Sequence, residues 1–461
     1  MTATATLEVH SPYSGALVGE APVAGPDAVA AALETARAAG AAGTSSRHER
    51  SQLLSGVADR LLARRESLAA LITAESGLCL KDTRHEVGRA VDVFRFAATE
   101  ALRDDGETFA GDISAHGADR RAHTLQVPVG LVGAITPFNH PLNQVAHKLA
   151  PALAAGAPIV LKPSERTPLS ALALFAIVAE AGGGASAQIV CGDPAAILGA
   201  FLADPAVEVI SFTGGVAVGK AIAARLGYRR AVLELGGNDP LIVLADADLE
   251  EAAELAVRGA FANSGQRCTA VKRIIAVEAI ADELAERVAA GAQALRCGDP
   301  ADERTDVGTV IDETSAIRIA GRIHDAVVRG ARLLCGGVRE GALLQPAVLD
   351  HVTPAMELVA LETFGPVAPI IRVPDLDAAI ATANATPYAL SSGVCTFDWR
   401  AIARCVRELR AGTVNVREVP GWRTELTPFG GIGDSGLGVK EGVREAVRAM
   451  SHTKLYTLPW H

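Results

Sequence analysis

Val207-Glu-Val-Ile-Ser-Phe-Thr-Gly-Gly-Val-Ala-Val-Gly-Lys220 is the stretch that decides the fold. Its β-branched and apolar residues predict a strand over 207–212. Thr213-Gly-Gly-Val-Ala-Val-Gly219 then reads as a glycine turn, with a helix beginning near Lys220. Glycines at a strand-to-helix turn let backbone N–H groups and a helix N-terminus approach a phosphate closely. The spacing is not G-x-G-x-x-G, so a purely structural tight turn stands equally open.

Working outward, further short runs alternate with Ala-rich helical stretches: Leu131-Val-Gly-Ala-Ile135, Pro158-Ile-Val-Leu161, Gln188-Ile-Val190 and Ala231-Val-Leu-Glu-Leu235. Such alternation implies βαβ units and a parallel sheet covered on both faces. A second cycle follows Cys268, with strands expected at 273–277, 367–371 and 413–416 and a long helix over 278–295. Two α/β domains result, with Glu234 to Gly237 near their seam. The first hundred residues are mainly helical in pattern, over 26–41, 47–73 and 84–105, the last carrying Val87, Val91, Phe94 and Ala98 at spacings of three and four. The tail, residues 453–458, alternates like an exposed strand that needs a partner sheet, in this chain or in another subunit.

At 461 residues the chain exceeds what one core usually supports. Apolar residues at 49% and charged ones at 21% describe an ordered, soluble protein. A net charge of -10 and only 4% aromatics argue against nucleic-acid binding. Seven cysteines (79, 191, 268, 297, 335, 395 and 405) lack C-x-x-C or Cys/His ligand spacing, which reads as reduced thiols in the cytoplasm and no metal site. No signal peptide or membrane-spanning run is visible, so a cytoplasmic location is expected.

Phe261-Ala-Asn-Ser-Gly-Gln-Arg-Cys268 places a cysteine after a cation, a setting expected to favour the thiolate, although most buried cysteines are inert. Glu234 lies inside an apolar strand beside Gly236 and Gly237; such a carboxylate suits a general base, or is an exposed side chain on an edge strand. Asn139, in Thr136-Pro-Phe-Asn-His-Pro141, is either an oxyanion donor or a turn former. Lys162 and Glu165 either contact a ribose or open a helix.

Phe138-Asn139, Lys162-Pro-Ser-Glu165, Phe212-Thr-Gly-Gly215, Glu234-Leu-Gly-Gly237, Gly265-Gln-Arg-Cys268, Glu362-Thr-Phe-Gly-Pro366, Pro428-Phe-Gly-Gly431 and Asp434-Ser-Gly-Leu-Gly438 occur in the order seen in the aldehyde dehydrogenase superfamily. The resemblance covers essentially the whole chain, and Glu234 precedes Cys268 by 34 residues, as that family's base and nucleophile do. It implies an α/β fold with a Rossmann-like dinucleotide-binding domain (1–112 and 130–236), an α/β catalytic domain (237–438) and a small β oligomerisation element (113–129 and 439–461). It implies Cys268 as nucleophile, Asn139 with the Cys268 N–H as oxyanion hole, and Glu234 as the base that hydrolyses a thioester. It places NAD, or NADP, against Thr136, Pro137, Lys162, Ser164, Glu165, Gly215, Gly219, Leu235, Glu362 and Phe364, needs no metal, and implies a homodimer or homotetramer. Gly215 departs from the pattern, since many members carry Ser there.

For the substrate, the resemblance points to Arg89, His140, Arg267, Thr269 and Arg423 around an anionic group, as in relatives handling phosphorylated aldehydes. Alternatively Arg89 and Arg423 merely pair with Glu86 or Glu425. Residues 137–148, 236–240, 264–272 and 425–431 are most similar to phosphonoacetaldehyde dehydrogenases. Phosphonoacetaldehyde, or a shorter aldehyde such as phosphonoformaldehyde, is the expected substrate; glyceraldehyde 3-phosphate, lactaldehyde or a semialdehyde is the alternative, and a non-catalytic nucleotide-binding scaffold is the reading outside the enzyme class. Arg417 would shorten or re-aim the pocket if it points inward.

Overall fold

The computed structural model describes residues 5–43, 45–439 and 441–460; the N-terminal reading of residues 1–4 and the tail positions 440 and 461 lie outside them. Five parallel strands form the first sheet, in the spatial order Ala187–Ile189, Ile159–Lys162, Leu131–Ile135, Val207–Thr213, Arg230–Glu234. The period-two geometry of a strand sends alternate side chains to opposite faces. Val132 and Ala134 pack into one core with Leu149 and Leu174, while Leu131 and Ile135 join Leu33, Phe201 and Ile210 in another. Both faces are therefore buried, which is why these strands read as continuous apolar runs.

The chain leaves Glu234 and enters a second sheet at Pro240–Val243. Its seven strands run Arg332–Cys335, Ala347–Asp350, Val367–Val373, Arg273–Val277, Pro240–Val243, Ser391–Cys395, Thr413–Val416, all parallel except the outermost Arg332–Cys335. A third, antiparallel sheet joins Ser451–Pro459, Arg120–Pro128 and Thr108–Ala110. The tail strand thus finds its partner in its own chain, pairing from Ser451 opposite Pro128 to Pro459 opposite Arg120.

Several elements differ from the sequence expectation. The helix expected over 47–73 divides at Arg64 into Arg47–Ala63 and Arg65–Ser76. A hairpin of Thr6–His10 and Leu17–Pro22 precedes the helices. The third helix spans Leu80–Ala101, earlier at both ends than 84–105. Val87, Phe94 and Ala98 bury its apolar stripe against the Arg47–Ala63 and Asn143–Ala155 helices. Its opposite face carries Asp82, His85 and Arg89 into a cavity. No helix among the described residues is long and apolar enough to cross a membrane.

Candidate active site

In an open parallel sheet, ligands bind beyond the carboxyl ends of the strands where the strand order reverses. Here the reversal lies between Leu131–Ile135 and its neighbours Ile159–Lys162 and Val207–Thr213. Thr136 and Pro137 directly follow the first of these strands, Ser164 and Glu165 the second, and Gly215 the third. Leu235 follows Arg230–Glu234. The topology therefore gathers most of the expected dinucleotide contacts along one crevice.

Thr136 Oγ1 is buried with no partner among the described residues. Lys162 and Glu165 pair with each other. Burial would raise the Glu165 pKa, but the Lys162 hydrogen bond and charge outweigh it and hold the carboxyl below its usual value. Gly215 caps the Val216–Ala223 helix, and a Cβ built there meets nothing within 4 Å, so the absence of Ser is not steric. Gly219 is different: a Cβ would lie 2.4 Å from Leu235 Cδ2, so the helix packs on that side chain only because position 219 is bare. Glu362 Oε1 accepts from Lys272 Nζ at 2.9 Å and from the Gly237 N–H at 3.2 Å. Phe364 meets Phe138 edge-on, with centroids 6.0 Å apart.

Cys268 follows a strained turn. Asn263, Ser264 and Gly265 have φ of 59°, 52° and 67° in succession, a conformation that costs non-glycine residues about 1–3 kcal/mol each. Three contacts hold it. Asp82 Oδ2 accepts from the Asn263 N–H at 2.8 Å, Asn139 Nδ2 donates to the Gln266 carbonyl at 2.8 Å, and Asn263 Nδ2 donates to the Asn139 carbonyl at 3.0 Å. Asn139 is thereby fixed to the loop that carries the thiol. Lys272 Nζ donates to the Cys268 carbonyl at 2.7 Å and the Gly237 carbonyl at 2.8 Å, stapling that loop to the seam between the sheets. A Cβ on Gly237 would lie 2.4 Å from the Cys268 carbonyl, so this close approach requires glycine. Glu234 ends an edge strand yet is buried, because the 430–436 segment covers it: Leu235 N–H donates to the Ser435 carbonyl, and a Cβ on Gly430 would lie 2.6 Å from Glu234 Oε1.

The thiolate expected from Arg267 is not what the structure holds. Burial pushes the Cys268 thiol up to about 12; Lys272 opposes it, while Asp239, Glu362 and Glu234 add to the rise. Arg267 instead donates from Nη2 to the Gly259 carbonyl at 2.7 Å, capping the Leu249–Phe261 helix. Lys272, four residues past the thiol, is the cation that lowers it. With the folded pKa raised, the thiolate fraction at pH 7 is small and grows tenfold per pH unit. Inactivation by iodoacetamide without cofactor is therefore expected to accelerate about tenfold per unit from pH 7 to 9.5; a plateau near pH 8 would contradict a thiol held neutral.

A cavity of about 950 Å³ opens beside this loop. Arg89, His140, Arg267 and Arg423 all line it, although they come from four separate segments. Arg267 Nε and Arg423 Nη1 are buried there without a partner among the described residues, an arrangement that costs roughly 1–3 kcal/mol or more per group unless a ligand satisfies it. Arg423 lies 3.8 Å from the Phe429 ring centroid. Arg89 is also ion-paired, its Nε 2.5 Å from Glu425 Oε1, so pairing and cavity lining hold together. His140 Nδ1 is 3.6 Å from Glu86 Oε2. Thr269 is not on the cavity wall; it packs under Gly421, where a Cβ would lie 2.3 Å from its Oγ1. Arg417 points away from the cavity, forming two hydrogen bonds to Glu251 at 2.9 and 3.0 Å and stacking on Phe397. His85 and Trp422 also line the cavity and were not anticipated, although His85 stands four residues before Arg89 on one helical face. Partial desolvation, then the charges of Arg89 and His140, lowers the His85 pKa. No group of acidic, His or Cys side chains suited to a metal occurs among the described residues.

The sequence profile of the Aldehyde dehydrogenase family matches residues 1–456. The chain belongs to that family. Among its relatives, 3-sulfolactaldehyde dehydrogenase of Priestia aryabhattai is 37% identical over 458 residues, covering 99% of this chain and 96% of that one. Sulfoacetaldehyde dehydrogenase of Neptuniibacter caesariensis is 38% identical over 410 residues, 88% of this chain and 89% of its own. The NADP-dependent glyceraldehyde-3-phosphate dehydrogenase of Bacillus halodurans C-125, solved with NADP, superposes with a TM-score of 0.96 at 38% identity, covering 99% and 96% of the two chains. The aldehyde dehydrogenase fold is thus shown over the full chain, and the loop that carries Cys268 lies at the seam where the two sheets meet.

Proposed function

We propose that this aldehyde dehydrogenase oxidises a small phosphonate-bearing aldehyde, phosphonoacetaldehyde or a shorter one such as phosphonoformaldehyde, to its acid with NAD(P). The observation that carries the substrate class is the cavity wall of Arg89, His140, Arg267 and Arg423, with two buried guanidinium nitrogens unpartnered among the described residues. A phosphonate offers three oxygens to such donors, and charge-assisted hydrogen bonds are the strong ones.

Cys268 attacks the aldehyde carbon and gives up its proton to solvent water as the bond forms, because its raised pKa leaves the thiol neutral at rest. Asn139 Nδ2 uses one hydrogen on the Gln266 carbonyl and has the other for the developing oxyanion, together with the Cys268 N–H. A dinucleotide would fit the crevice beyond the sheet, where the Thr136 hydroxyl, unpartnered among the described residues, and the open space over Gly215 would hold it; when bound, it would supply a hydride acceptor. Glu234 then activates the water that releases the acid. An ionised Glu165 accepts from a ribose 2′-hydroxyl and repels a 2′-phosphate, which favours NAD over NADP. The three-stranded sheet, with Leu455, Leu458 and Trp460 exposed on its tail segment, joins two copies in a homodimer or homotetramer. We place the enzyme in the cytoplasm.

A sulfonate-bearing aldehyde is the second reading, favoured by the relatives named for 3-sulfolactaldehyde and sulfoacetaldehyde. The deciding experiment is a kcat/KM panel of phosphonoacetaldehyde, phosphonoformaldehyde, sulfoacetaldehyde and propanal, each with NAD and NADP. Arg423→Met is expected to raise KM for the phosphonate roughly 10- to 100-fold, the value of a buried charged hydrogen bond, with a smaller change in kcat. Equal kcat/KM for phosphonates and propanal would sink the anion-pocket reading; a tenfold advantage for the sulfonate would transfer it to the second.

A further inference from the structure

Arg89 and Arg423 reach the cavity from distant parts of the chain, one from the Leu80–Ala101 helix and the other from the loop after Gly421. A single carboxylate brings them together. Glu425 is buried and accepts from Arg89 Nε at 2.5 Å and Arg89 Nη2 at 3.3 Å. Arg423 Nη2 lies 4.0 Å from its Oε2, and His147 Nε2 lies 2.5 Å from that same oxygen. Burial alone would raise the Glu425 pKa, but Arg89, His147 and Arg423 hold it well below the usual carboxylate range. Both arginines line the cavity, whereas Glu425 and His147 stand behind that wall. Two guanidinium groups so placed repel each other, and the carboxylate between them offsets that repulsion. Arg423 Nη1 is the donor left over on that side.

The geometry points to Glu425 as a positioning residue that sets specificity for anionic aldehydes: it aligns Arg89 and Arg423 toward the substrate's charged end without touching the substrate. This rests on the reading of an anionic aldehyde as substrate. Glu425→Gln keeps the shape and one acceptor oxygen for Arg89. Its amide then faces His147 Nε2, whose ring must take the other tautomer, with the proton on Nδ1. The fixed charge between the two arginines is lost.

The test is steady-state kinetics of the full-length wild type, Glu425→Gln, Arg89→Gln and the double variant, with an anionic aldehyde and an uncharged one of equal length. Glu425→Gln is expected to raise KM for the anionic aldehyde on the order of tenfold or more, as loss of support behind a binding group does. Its kcat should change much less than KM, since an interaction that serves binding alone raises KM and spares kcat, and kcat/KM for the uncharged aldehyde should fall far less than for the anionic one. In the double variant the loss should be smaller than the product of the single losses, because Glu425 acts partly through Arg89. That variant also removes both partners of the Arg89–Glu425 ion pair together, so neither is left as an uncompensated buried charge. Equal losses on both aldehydes, an unchanged KM, or fully multiplicative losses would overturn the proposal. A wild type with no preference for the anionic aldehyde would instead overturn the substrate reading, and the proposal with it.

Discussion

Cys268→Ala is expected to lower kcat by more than about 10⁴-fold on every aldehyde the enzyme accepts, because covalent attack has no substitute once the nucleophile is gone. The substitution removes one sulfur atom from a loop held by other residues. Asp82, Asn139, Gln266 and Lys272 make the hydrogen bonds that shape it, and of Cys268 they use only the backbone carbonyl. Dinucleotide affinity, read by fluorescence titration, should therefore stay within about twofold, since no new contact is lost. Burial also raises the pKa values of the six other cysteines, Cys79, Cys191, Cys297, Cys335, Cys395 and Cys405, so none offers a ready thiolate in its place. Retention of more than about one per cent of turnover would overturn the mechanism.

Glu234→Gln should give the second-largest effect and a different kinetic shape. If Glu234 activates water against a thioester, acylation survives its loss while deacylation slows by about 10²- to 10⁴-fold, the usual contribution of a general base. Stopped-flow absorbance would then show a burst of reduced cofactor close to one per active site, followed by slow turnover. The amide fits the space, since the carboxylate packs against the bare backbone of Gly430. Loss of the burst itself, with both phases reduced alike, would show that Glu234 serves an earlier step.

The elements around the first sheet were legible because both faces are buried. Strands such as Leu131–Ile135 and Val207–Thr213 then appear as unbroken apolar runs between helices. One strand of the second sheet, Ser391–Cys395, carries no such signal. It holds Gly393, a residue that local propensity disfavours in strand interiors. Tertiary packing reverses that preference: a Cβ at Gly393 would lie 2.7 Å from the Glu418 carbonyl and 2.7 Å from Leu241 Cδ1. Arg64 illustrates the opposite failure. Helix formers on both sides hide the break, and only the non-helical backbone of Arg64, φ -106° and ψ 17°, reveals it.

By itself the sequence determined the alternation of strand and helix, the family, and the thiol and carboxylate expected to do the chemistry, because ordered motifs and hydrophobic period are local properties of a chain. Tertiary structure alone decided what each charge faces. Arg267, adjacent to the thiol in sequence, caps a helix, while Lys272 takes the place beside Cys268. Arg417 turns to Glu251 and Phe397, outside the cavity. Glu425, which sequence offered only as a partner that might silence an arginine, stands behind two of them. The physical reason is that a charge acts through space over a few ångströms, and burial sets its strength; neither distance nor burial is written in residue order.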